Sequence, residues 1–239
     1  MNTDITALPY LCLSVFICGS IFYKHKQPEK TMQRAIPTFM SLFLLAAAVT
    51  AHANLGKLDT DFNKQPAGDY MLDKAHASVT WRVSHLGLSL YTARFDKMDG
   101  KMKFTPATAA ASNVEFTIDA TSINTGLAPF NKKLQGVEFF DAEKNANITF
   151  KSTKIEAAGG NKYKMSGDMT LRGVTKSLTW DVTFNGGLYN GYMQAHAVGF
   201  SAKGIVKRSD WGMKEYIGVV GDNVEVLIEV EFLQRPAAQ

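Results

Sequence analysis

The sequence predicts an all-β protein built as an antiparallel β-barrel of about eight strands, with a short helix and loop near one end. Three observations predict it. From Met71 onward apolar residues recur at every second position, the period of a strand with one dry and one wet face. Turn-forming glycine pairs interrupt these runs. Only one stretch between them shows helical spacing, so strands are not alternating with helices.

The chain has 239 residues. Residues 40–53, MSLFLLAAAVTAHA, read as the end of a secretory signal peptide that spans 32–53. Gln33-Arg34 gives a short positive start, Met40 to Val49 is mostly apolar, and Ala51-His52-Ala53 has the small-x-small form that signal peptidase cuts. The processed protein is then expected to begin near Asn54 and to be periplasmic or secreted. Leu8 to Tyr23 is an apolar run of 16 residues, short of the roughly 20 that a spanning helix needs. Residues 1–31 read best as an over-extended start, with synthesis beginning at Met32; a short membrane anchor is the other reading. Residues 54–68 are polar and aperiodic, and are expected to form a loose leader before a domain at 69–233.

Within that domain the strands follow in order. Val79, Trp81, Val83 and His85 alternate with Thr80, Arg82 and Ser84; Val114, Phe116 and Ile118 alternate with Glu115 and Thr117. Ile148 and Phe150 share a phase, as do Met165, Met169 and Leu171. Leu178, Trp180, Val182 and Phe184 alternate with Thr179, Asp181 and Thr183; Val198, Phe200 and Ala202 continue the pattern, and Val224 to Phe232 complete it. Asp99-Gly100, Gly159-Gly160, Asn185-Gly186 and Asn190-Gly191 are expected to reverse the chain. The exception is Gly126 to Asp141. There Leu127, Phe130, Leu134 and Val137 recur at helical spacing after Pro129, which predicts about two helical turns lying across a barrel end, either as a plain connection or as a lid.

Composition excludes several chemistries. Both cysteines, Cys12 and Cys18, precede the expected cleavage site, so the processed domain has no disulfide, thiolate metal site or cysteine nucleophile. Losing Lys24, Lys26, Lys30, Arg34, Asp4 and Glu29 lowers the net charge from +4 to +2. The basic residues are scattered among acids, which speaks against nucleic acid. Asp73 and His76 stand three apart, but no dense His/Asp cluster surrounds them, and no metal is expected. No G-x-S-x-G, P-loop or dinucleotide fingerprint occurs, and no cofactor or catalytic residue is expected.

What the strands do supply is an apolar inner face. Trp81, Val83, His85, Phe95, Phe116, Ile118, Phe150, Leu171, Trp180, Val182, Phe184 and Phe200, with Phe139 of the helical segment, are the candidate walls of a ligand cavity. An eight-stranded barrel either fills its interior with side chains or encloses one small ligand. Both remain open on this pattern: a binding protein, or an envelope stress or interaction protein with a packed barrel. An enzyme using His85 or His196 would need a cluster of ionisable groups facing inward, and the strand pattern offers few.

Seven segments, read in order, resemble the YceI-like family of periplasmic polyisoprenoid-binding proteins: LDKAHASVTWRVSHLG, ARFDKMDGKMKF, VEFTIDATSINTG, VEFFDAEKNANITFKSTKI, GDMTLRGVTKSLTWDVTFNG, GFSAKGIVKRSDWGM and VGDNVEVLIEVEF. The resemblance covers about residues 69–233. It implies a lipocalin-like barrel that carries or stores a long isoprenoid lipid or quinone, not an enzyme, with contact to the membrane or envelope proteins expected to be transient. The chain departs from the family where many members carry Arg-Asp-x-His-Leu. Here the stretch reads Phe130-Asn131-Lys132-Lys133-Leu134, which leaves Lys132 and Lys133 as the head-group candidates.

Overall fold

The computed structural model describes residues 55–234. The readings of residues 1–31 and of the signal peptide at 32–53 therefore lie outside the described residues. Eleven strands follow one another: β1 (Gly68–Leu72), β2 (Ser78–His85), β3 (Ser89–Phe95), β4 (Met98–Phe104), β5 (Asn113–Asp119), β6 (Ile123–Asn124), β7 (Asn147–Ala157), β8 (Lys162–Leu171), β9 (Val174–Asn190), β10 (Ala195–Lys207) and β11 (Val220–Gln234). One α-helix, α1 (Ala128–Gln135), stands among them in the described residues, with Pro129 in its first turn. No helix of the described residues is long and apolar enough to cross a membrane.

Eight strands close a ring in the order β1-β4-β5-β7-β8-β9-β10-β11, and β11 returns to β1 through Tyr70↔Gln234, Met71↔Leu233 and Leu72↔Phe232. Every pairing between strands is antiparallel. The other part of β11 takes a second partner: Val224 to Glu229 pair with β2, which pairs with β3, which pairs at two residues with β6. The expected barrel is thus present, with β2, β3 and β6 added as a flap along one side. The alternation is literal in β4, where Met98, Gly100, Met102 and Phe104 are buried and the residues between them are exposed.

Two of the four expected reversals occur elsewhere. Gly159-Gly160 does lie between strands, and Asn190-Gly191 ends β9 and opens the turn to β10. Asp99-Gly100 lies inside β4, where a Cβ on Gly100 would come 2.9 Å from the Phe116 ring, so this glycine makes room for a neighbour rather than a turn. Asn185-Gly186 lies inside β9, beside the register shift opposite Gly199 and Phe200. The β2–β3 reversal is made instead by Leu86-Gly87 and the β8–β9 reversal by Arg172-Gly173, both residues of each pair having positive φ. That is the primed hairpin geometry, reached without the Asn-Gly signature.

The segment expected as a loose leader is packed. Leu55 and Asp59 bridge to Asn190 and Gly187 of β9. Asp61 then caps a 3-10 turn over Phe62–Lys64 through Asn63 N. Phe62 is buried with its ring 4.9 Å from Phe104, 4.8 Å from Tyr163 and 5.3 Å from Phe184. Gln65, also buried, donates from Nε2 to the carbonyls of Asp59 and Asp61 at 3.2 and 2.8 Å. The Tyr70 hydroxyl donates to Pro66 O at 2.8 Å, and burial pushes its pKa up to about 12. A segment that crosses a barrel end once has no periodic face, so alternation does not report its packing.

Candidate functional site

Inside the barrel is a cavity of about 600 Å³, within the roughly 300–1,000 Å³ typical of small-molecule sites. Its floor is aromatic: Phe62, Phe104 and Tyr163 close it at the end where the N-terminal segment crosses. Its long wall is aliphatic and thioether: Val224, Val226, Ile228 and Val230 of β11 and Met165 and Met169 of β8 all face it. A Cβ on Gly204 would come 2.6 Å from Trp180, so the missing side chain lets that indole lie flat on β10.

The structure brings twelve of the thirteen wall candidates around this cavity: Trp81, Val83, His85, Phe95, Phe116, Ile118, Phe139, Phe150, Leu171, Trp180, Val182 and Phe200. Phe184 is the correction. It is 1% exposed and packs between Phe62 and Phe200, because Phe62 from the N-terminal segment takes the wall position in front of it. Of the head-group candidates, Lys133 lines the cavity and Lys132 does not. The two are adjacent on α1, so only one can face inward.

α1 covers the other end. Phe130, Lys133 and Leu134 line the cavity from it, and Phe139 and Phe140 from the turns that follow. It is anchored where the sequence departs from the Arg-Asp-x-His-Leu pattern: Asn131 Oδ1 accepts from Thr125 N and Oγ1 at 2.7 and 2.6 Å. Phe130 sits edge-on to Tyr91 of β3 at 5.7 Å, and Arg172 donates to Phe139 O. The segment is a helix that covers this end of the cavity, the position expected of it.

Two cations reach the cavity near this lid. Lys133 Nζ donates to the Tyr216 hydroxyl at 2.9 Å and stands 4.6 Å from the centre of that ring, and the hydrogen bond raises its pKa. Arg208 is 6% exposed. Its Nε donates to Gly221 O at 2.8 Å, Nη1 to Met213 O at 3.1 Å and Nη2 to Val220 O at 3.1 Å. Burial lowers its pKa, but a guanidinium stays charged at any physiological pH. Three of its five N–H groups are used by carbonyls. His85, at the end of β2, is the third basic residue of the lining, and no Asp or Glu lines the cavity among the described residues. Sequence periodicity could not find Arg208 or Tyr216, since 208–219 belongs to no strand.

The remaining histidines lie elsewhere. His196 Nε2 meets Gln65 Oε1 at 2.9 Å, and burial lowers its pKa. His76 Nδ1 meets Asp73 Oδ2 at 2.8 Å, which raises the histidine pKa, while Asp73 also accepts from Ala75 N at 3.0 Å. Glu231 stands near this pair, the three offering ligand-type atoms within 4.8 Å of one another. None of the four residues Asp73, His76, His196 and Glu231 lines the cavity.

Residues 70–232 match the YceI-like domain. A UPF0312 protein of Vibrio cholerae serotype O1 is 34% identical over 173 residues, covering 71% of this chain and 89% of that protein. The crystal structure of Burkholderia cenocepacia BcnA shares the fold with a TM-score of 0.59 at 28% identity, over 67% of this chain and 98% of that one. A polyisoprenoid binding domain from Saccharophagus degradans, implicated in plant cell wall breakdown, shares it with a TM-score of 0.52 at 18% identity, over 70% of this chain and 98% of that one. With the domain matched across the whole ring of strands, the chain belongs to the YceI-like family.

Proposed function

We propose that this protein sequesters or carries a long-chain isoprenoid lipid, a polyprenyl lipid or a quinone, after export to the periplasm. The observation that carries the reading is the cavity of about 600 Å³ walled mostly by apolar side chains, with no carboxylate among the described residues that line it. Burial alone can hold such a tail. Each methylene moved out of water contributes about 0.8 kcal/mol, so a few isoprene units bind without polar help. The fold shared with a domain described as polyisoprenoid-binding supports the choice of chain. Lys133 and Arg208, facing the cavity beside the lid, are suited to an acceptor-rich head group. Among the described residues the inward groups include no nucleophile beside a base, which supports binding over catalysis.

Native mass spectrometry of protein purified without detergent tests it, followed by titration with a polyprenyl phosphate and a quinone. Wild type is expected to carry or take up at least one of them. Ala202→Trp, which fills the cavity from β10, is expected to lower uptake with the barrel intact by circular dichroism. Trp180→Asp is expected to abolish uptake or folding, since an unpaired buried charge is costly. Lys133→Ala is expected to weaken the phosphate and spare the quinone. A folded wild type that takes up neither ligand overturns the proposal; equal loss of both in Lys133→Ala removes only the head-group role.

A further inference from the structure

The apolar side chains left in water are not spread evenly. The β2–β3 turn exposes Leu86, Leu88 and Leu90, with Leu88 83% exposed. The loop before β11 exposes Tyr216, Ile217 and Val219. These two tips are tied together, Leu86 N donating to Val219 O at 2.8 Å. Neither 86–90 nor 216–219 contains a charged residue. The patch is continuous with the cavity, because His85, Tyr216 and Val219 line that cavity while their neighbours in sequence face water. Leu127 and Val137 are also exposed, at either end of the lid. The lid and the loop carry exposed Lys132 and Lys214 among Glu138, Asp141, Asp210 and Glu215, so the charges around the patch are mixed and it is the uncharged tips that stand out.

We infer that the β2–β3 turn and the 216–219 loop form a docking surface for a lipid bilayer at the mouth of the cavity. A contiguous exposed apolar patch marks an interaction surface. Its position selects the partner. A cavity this apolar exchanges its contents with a source that is itself apolar, and a bilayer pressed against the mouth lets a chain pass without crossing water. Uncharged apolar tips insert at the acyl boundary. The inference rests on the isoprenoid reading for its purpose, although docking is measured separately from ligand uptake.

The experiment uses the full chain expressed in cells and purified in parallel as wild type, Leu88→Ser/Ile217→Ser and Tyr192→Ser/Met193→Ser. Leu88 and Ile217 sit at the two tips and do not line the cavity; Tyr192 and Met193 are exposed in the β9–β10 turn. Any contribution from the N-terminal residues is common to all three proteins. Each is floated with protein-free vesicles of phosphatidylethanolamine and phosphatidylglycerol, and transfer of a fluorescent isoprenoid from those vesicles is timed. Leu88→Ser/Ile217→Ser is expected to float less and to transfer about tenfold more slowly, the loss of two inserted side chains, while binding ligand added from ethanol as wild type does. The control variant is expected to match wild type. Equal flotation and transfer by all three proteins overturns the inference, as does retention only on native membranes and not on protein-free vesicles, which assigns the patch to a protein partner. Wild-type flotation without any isoprenoid uptake sinks the ligand reading and leaves docking standing; uptake without flotation does the reverse.

Discussion

The two ends of this barrel follow the same alternation and are filled in opposite ways. At the end crossed by the N-terminal segment, Phe62, Tyr70, Phe104, Tyr163 and Phe184 meet ring to ring, and Tyr70, Phe104 and Phe184 are at most 1% exposed. At the lid end, Tyr91, Phe130, Phe139 and Tyr216 also meet ring to ring, but all four face the cavity and are only partly covered. The difference lies in what closes each end. The first is closed by extended chain whose backbone pairs with β9, the second by a helix laid across strands through side chains. Backbone pairing draws the chain close enough to leave no void; side-chain contacts across a helix leave room.

The sharpest way to break this comparison is to truncate the same residue at each end. Phe184→Ala should cost about 3–5 kcal/mol in denaturant unfolding, as expected for a fully packed ring. Phe139→Ala should cost about 1 kcal/mol, the ordinary value for a partly exposed site. Similar losses at the two positions would erase the distinction between a packed floor and a loose lid.

A smaller effect is expected from Gly187→Ala. A Cβ there would lie 2.2 Å from Gln65 Oε1 and 3.0 Å from Ala197 O, so Gln65 has to leave its place. The expected cost is about 1–3 kcal/mol from overpacking, with faster proteolysis confined to 55–67. Resistance of that segment equal to wild type would show that Gln65 does not hold it down.

The smallest expected effect is on pH dependence. Gln65 Nε2 is committed to two carbonyls, so its Oε1 accepts and the neutral His196 carries its proton on Nε2. Burial lowers the His196 pKa, so the unfolded chain binds its proton more readily than the folded one. The floor is therefore expected to be fully stable above about pH 6.5, the unfolded value, and to weaken as pH falls below it. His76 runs the other way, its raised pKa favouring the fold below pH 6.5, but its ring is largely exposed and its share is small. Denaturant midpoints at pH 7.5 and 5.5 should differ less for His196→Gln than for wild type. An unchanged difference would assign the acid sensitivity to other groups.

Much of this was legible in the sequence where a residue's phase decides its face. Trp81, Phe116, Phe150 and Trp180 reach the cavity because period-2 alternation in a closed barrel leaves a side chain only inside or outside. Phe184 shares their phase yet lies behind Phe62, because phase gives the face and not what stands in front of it. Leu86-Gly87 and Arg172-Gly173 carry no strong turn signature, since the short antiparallel connection itself imposes their positive φ. Arg208, Tyr216 and the docking tips come from loops, where no period reports which residues meet.

One strand has three partners, β10 along one edge and β2 and β1 in turn along the other, and time follows from it. β11 pairs with β2 over Val224–Glu229 and with β1 over Phe232–Gln234, and no other strand seals the ring. The seal joins Tyr70 to Gln234, near the two extremes of the domain. A chain emerging during synthesis stays an open sheet until fifteen-residue β11 arrives. Pairings so distant in sequence are slow to form, and an unsealed apolar sheet is prone to aggregate. The C-terminal strand thus sets the moment at which the protein first acquires an inside.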